Sequence, residues 1–168
     1  MSGKSRALTT FALLAVLFLA LAVGTRLSIK SLSPVPAKLG IFYGNFQPCP
    51  DKPNCVSTQA TREDQKIDPI SFEGVSRPDA YQALTDVIES MPRAEILVSR
   101  VDYVHVEFRT KWFGFYDDSE FSLRDSTKQI EMRSAARLGE NDLGVNRKRL
   151  ETIRARMNDE LQMYRGKE

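Results

Sequence analysis

From Ala94 to Ser134, apolar side chains recur at every second position. Ala94, Ile96 and Val98 are followed by Val104, Val106 and Phe108, then Phe121 and Leu123, then Ile130 and Met132 with Ser134 in phase. Successive side chains of an extended strand point to opposite faces, so a period of two describes strands with one buried face. Four strands are expected in meander order, near residues 94–99, 102–110, 119–125 and 128–136. The run R-D-S-T-K between the last two supplies the Asp and Ser of a hairpin turn. Such a sheet needs something to cover its apolar face.

Two segments carry a matching helical period. S-R-P-D at residues 76–79 is a capping box, in which the Ser76 side chain accepts from the N3 amide and Pro78 sits in the first turn, where its missing N–H costs nothing. Tyr81, Leu84, Ile88 and Met91 follow at helical spacing over about 77–90, and Pro92 ends the helix. Leu150, Ile153, Met157, Leu161 and Tyr164 mark a second helix over roughly 143–164, with Arg147, Lys148, Arg149, Arg154 and Arg156 on its remaining surface. I-D-P-I-S-F at 67–72 is a short strand whose Pro69 suits a sheet edge. The expected fold is α+β in the order β-α-β-β-β-β-α: an antiparallel sheet of about five strands with two helices packed on one face, preceded by an N-terminal hydrophobic helix. The globular domain is expected over 41–164, after a linker at 25–40 broken by Pro34, Pro36 and Gly40. Ile41, Phe42, Tyr43 and Phe46 form an extended arm that covers a sheet edge.

Residues 1–24 are a leader. Lys4 and Arg6 precede an uncharged stretch from Ala7 to Gly24 that is apolar throughout from Phe11 to Val23. It reads as a transmembrane anchor, at the lower limit of the about 20 residues that a spanning helix wants, or as a signal peptide cut after the small residues Ala20 and Ala22. Both place the body of the chain outside the cytoplasm, on the periplasmic side of the cell membrane. The chain holds 24 Lys+Arg against 22 Asp+Glu, and Lys4 and Arg6 account for the excess. A body without net charge argues against nucleic acid as a partner, because that partner calls for a basic face.

Both cysteines lie in C-P-D-K-P-N-C-V-S-T, residues 49–58. Cys49 and Cys55 are too far apart for a C-x-x-C dithiol. A metal would lack ligands, since His105 is the single histidine. A disulfide closing a short loop is the economical reading beyond a membrane, with redox cycling and metal binding as the alternatives; neither a metal nor a cofactor is expected.

Three further constellations could carry chemistry. Tyr103, His105, Glu107 and Arg109 share the sheet face opposite Val104, Val106 and Phe108, either as a solvated face of charge pairs or as a base held by an acid. Trp112, Phe113, Phe115 and Tyr116 crowd a Gly-containing hairpin that ends in Asp117, Asp118 and Glu120. They read as core-covering rings beside ion pairs, or as an exposed surface for a partner, a ligand or the membrane. Arg133, Arg137, Arg147 and Arg149 straddle a loop with Gly139, Asn141, Asp142 and Gly144 ahead of the last helix. That arrangement can cradle an anion, or Asp142 can cap the helix while the arginines pair with Asp117, Asp118 and Glu120.

The runs P-N-C-V-S-T, F-R-T with F-Y-D-D-S-E-F, and R-S-A-A-R-L-G-E-N-D-L-G-V-N-R-K-R-L-E resemble the family known as domain of unknown function 1499 over about residues 41–160. Thr58 stands where the family favours Ser, and Ser119 where it favours a hydrophobic residue. The resemblance implies a bacterial envelope or membrane-associated protein, with no activity to carry over. It singles out Asn54, Cys55, Val56, Ser57, Arg109, Asp117, Asp118, Glu120, Arg133, Ser134, Arg137, Asp142, Gly144, Asn146 and Arg147. The first functional expectation is a non-enzymatic envelope protein that binds a protein partner or small anionic ligand through Arg109, Asp117, Asp118, Arg133, Arg137, Asp142, Asn146 and Arg147. Its rivals are an envelope hydrolase or transferase using Asp117, Asp118, His105, Arg109 or Arg147, and a thiol oxidoreductase accessory using Cys49 and Cys55.

Overall fold

The alternating stretch folds as a meander in the computed structural model, which describes residues 3–165. Its strands are β3 (Ala94–Arg100), β4 (Tyr103–Arg109), β5 (Tyr116–Arg124) and β6 (Gln129–Ala136). Two short strands precede them, β1 (Cys55–Ser57) and β2 (Ile70–Ser71), and both pair antiparallel with β6. The six-stranded sheet runs β1-β6-β5-β4-β3, with β2 further along the β6 edge. One strand more than the expected five comes from β1. The expected strand at 67–72 shrinks to Ile70–Ser71 because Pro69 has no N–H to donate and β1 occupies β6 from Arg133 to Ala135, leaving Gln129 and Ile130 for β2. β5 begins three residues earlier than expected, since Thr110 N donates to Phe115 O at 2.9 Å and closes the hairpin just ahead of the Arg109 and Tyr116 pair.

The register sorts side chains cleanly. Val104 lies opposite Phe121, Val106 opposite Ser119 and Phe108 opposite Asp117 on one face, while His105 lies opposite Glu120 and Glu107 opposite Asp118 on the other. Helices α2 (Arg77–Glu89) and α3 (Val145–Arg165) pack against the first face and each other. Ser76 caps α2 by accepting from Asp79 N at 3.2 Å, as the capping box predicts. Phe72, Leu84, Ile88, Phe121, Ile130 and Met132 meet Leu150, Ile153, Met157 and Leu161 in one core with no solvent exposure to speak of. Tyr81, Met91 and Tyr164 pack at its rim rather than its centre.

The second face departs from expectation. Tyr103, His105 and Glu107 are buried instead of solvated. Their cover comes from the last turns of the N-terminal helix α1 (Gly3–Leu32), around Arg26 and Ile29, and from the chain that follows it. This helix continues past Gly24 to Leu32, so residues 25–32 are helical. From there the chain runs along β5. Arg26 Nη2 donates to Lys111 O and Trp112 O, Ser33 O accepts from Arg137, Gly40 N donates to Glu120, and Gly44 O accepts from Arg124. Ile29, Ser33 and Phe46 are buried, and Phe42 and Tyr43 are exposed.

Candidate functional site

On the face under the chain that follows α1, three carboxylates are held by two arginines. Arg137 grips Asp118 with both sides of its fork, Nε to Oδ2 at 2.8 Å and Nη2 to Oδ1 at 2.7 Å, and its Nη2 lies 2.9 Å from Glu107 Oε2. His105 Nε2 sits 2.7 Å from Asp118 Oδ1. Glu120, fully buried, accepts from Arg133 Nη1 at 3.1 Å, Tyr103 Oη at 2.8 Å and Gly40 N at 2.7 Å. Burial pushes the Asp118 carboxyl up, but the hydrogen bonds and charges of Arg137 and His105 outweigh it, and its pKa ends below the ordinary value. Burial and the Glu120 carboxylate push the Tyr103 phenol far up, so it stays a donor.

A separate network runs through the helix face. Arg149, on the first full turn of α3, donates from Nη2 to Asp117 Oδ2 at 2.6 Å and stacks 4.6 Å over the Phe108 ring. Asn146 accepts from Ser134 Oγ at 2.6 Å and donates to Asn54 O at 3.3 Å, and the Ser134 and Ser119 hydroxyls are 2.7 Å apart. Asn54 in turn donates from Nδ2 to Gly139 O at 2.7 Å, holding the loop before α3. Asp142 accepts from Gly144 N at 3.0 Å and Asn146 N at 2.9 Å and so caps that helix. Burial raises the Asp117 pKa against the pull of Arg149. The Cys49–Cys55 disulfide is formed and feeds the chain directly into β1, while Ser57 Oγ accepts from Gln59 N at 3.1 Å.

The residues singled out in the sequence therefore fall in different places. Asp118, Arg133 and Arg137 lie under the chain that follows α1, Asn146 lies in the helix-face network, and Asp117 and Asp142 border a groove beside the hairpin. Arg147 joins none of these groups and donates instead to Asp64 O at 2.9 Å. Of the eight ligand-binding candidates, Arg109 alone reaches an open cationic cleft of about 400 Å³ between the hairpin and α3, where it is joined by Arg93, Lys111, Lys148 and Arg149. Among the described residues no acidic side chain lines this cleft. Arg149 is spent on Asp117 and Arg109 lies 3.6 Å from Glu95, so Arg93, Lys111 and Lys148 carry the excess. Lys148 was legible as surface and not as site. The signal that places it is the spacing of Val145, Lys148, Arg149 and Thr152, one face of α3 that lines the cleft.

Fold and networks together define an α+β domain behind an apolar N-terminal helix, with its sequence motifs locked into two buried polar clusters. Residues 45–157, about two thirds of the chain, match the family described as protein of unknown function (DUF1499), and the chain belongs to that family. The three runs P-N-C-V-S-T, F-Y-D-D-S-E-F and R-S-A-A-R-L-G all lie inside the match. No curated protein and no solved structure matches the chain.

Proposed function

We propose that this is a cell-envelope protein anchored by α1, its domain on the extracytoplasmic side of the cell membrane, which binds a small anionic ligand in the cleft between the hairpin and α3. The observation that carries the reading is the lining of the cleft: five cationic side chains and no acid among the described residues. An anion there meets Lys148 and Lys111 as point charges and Arg93 and Arg109 as forks. The buried carboxylates favour binding over acid–base chemistry, because each is already engaged by an arginine. The apolar stretch Ala7–Leu32 and the Cys49–Cys55 disulfide support the location.

Trp112 lines the cleft and is the single tryptophan, so its fluorescence reports on occupancy. Titrating the full chain in detergent micelles with inorganic phosphate should give a saturable change that weakens with added salt. Lys148→Glu should weaken the response at least about tenfold, as expected for inverting one contact of a charged ligand. A linear response, or one of equal strength in Lys148→Glu, refutes the cleft as an anion site.

A further inference from the structure

Three large apolar side chains that the domain leaves exposed gather where α1 leaves it. Trp112 is 76% exposed, Phe113 64% and Leu143 91%. All three line one shallow groove of about 390 Å³ beside Phe115 and Val145. Leu143 has a backbone φ of 54°, in the left-handed region that branched side chains seldom adopt. Asn141 Oδ1 holds it there by accepting from Leu143 N at 2.7 Å. The loop thus presents a leucine to the outside at a cost in backbone strain.

α1 indicates what lies opposite. Its apolar span Ala7–Leu32 has 26 residues, about 39 Å at the helical rise, against a hydrocarbon core about 30 Å thick. The surplus is roughly six residues, so the turns around Arg26 to Leu32 stand at headgroup level. Arg26 binds the carbonyl oxygens of Lys111 and Trp112 at 3.3 Å each, which fixes the hairpin at that level. The chain after Arg26 runs away from the hairpin toward Arg124, so the apolar turns of α1 project from the hairpin end. Lys111 lies 5.0 Å from the Trp112 ring. Aromatic rings beside cations are the side chains that settle in the membrane–water interface.

We infer that hairpin 110–115 and Leu143 sit in the interfacial layer of the bilayer that α1 enters, giving the domain a second contact with the phospholipid surface. The inference rests on α1 as an anchor and requires no anion in the cationic cleft, whose lining shares Trp112 and Phe113.

The test uses the full chain reconstituted in phosphatidylcholine vesicles whose acyl chains carry bromine near the headgroup. Trp112 should shift to the blue, lose most of its emission to bromine and be shielded from acrylamide. Phe113→Asp combined with Leu143→Asp should lower the bromine quenching while the chain still floats with the vesicles. If the chain floats but Trp112 stays open to acrylamide and insensitive to bromine, the seat is wrong and the anchor stands. Undiminished quenching in the double variant also refutes the seat. If the chain does not float, the anchor fails and the inference with it.

Discussion

The Arg137 guanidinium and the Asp118 carboxylate form a two-pronged buried pair, at 2.8 and 2.7 Å, and the third arm of the same guanidinium binds Ser33 O just beyond the end of α1 at 3.0 Å. One side chain therefore joins the sheet to the chain that covers it. Asp118→Asn or Arg137→Ala leaves a buried partner uncompensated and should cost about 3–5 kcal/mol, measured by urea unfolding of the full chain in micelles.

That cost should depend on pH. The folded Asp118 pKa lies below the unfolded one, so the ionised pair contributes fully above about pH 4 and the contribution disappears as pH falls through the folded value. The advantage of the wild type over Asp118→Asn is expected to shrink at the acid end. An advantage that is flat from pH 7 to pH 2 contradicts the assignment.

Asp117, its neighbour in sequence, should behave in the opposite sense. Burial raises its folded pKa against Arg149, so the fold favours its protonated form and loses that preference as pH rises through the folded value. Stability of the wild type relative to Asp117→Asn should fall as pH rises above about 4, where the Asp118 comparison has already reached its plateau.

Asn54→Ala removes the hydrogen bond that holds Gly139 O. The expected loss is about 1–2 kcal/mol, with faster amide exchange concentrated between Arg137 and Gly144. Uniform acceleration over the whole sheet would contradict a local tie.

Reducing the Cys49–Cys55 disulfide should lower stability by about 2 kcal/mol, the chain-entropy value for so short a loop. The native chain should resist thiol labelling before reductant is added. Labelling of the untreated protein would show a cysteine pair that cycles.

Much of this fold was legible. The alternation from Ala94 to Met132 located four strands, and the stripe Leu150, Ile153, Met157, Leu161 located the face of α3, because each records burial against a partner in a fixed period. β1 was missed, since three residues beside Pro53 and a disulfide are too few to show a period. The polar face of the sheet read as solvated because its alternation says only that Tyr103, His105 and Glu107 share a side. What covers them is contributed by residues 26–46, where Pro34, Pro36 and two glycines erase any pattern. The cluster Asp117, Asp118 and Glu120 looked like one group along the chain. A strand sends neighbours to opposite faces, so Asp117 belongs with Arg149 while Asp118 and Glu120 belong with Arg137 and Arg133.

The grip of residues 26–44 on β5 also sets how the domain can move. A flexible linker of about fifteen residues would let a tethered domain wander roughly 20 Å from its stem. Here the stem is part of the body, and with α1 as the proposed anchor, rotation of the helix would turn the whole domain as a capstan turns with its shaft. Reach is exchanged for aim: the cationic cleft keeps one height and one heading relative to the helix axis, and under the proposed anchoring an anion would have to arrive sideways, along the surface of the membrane.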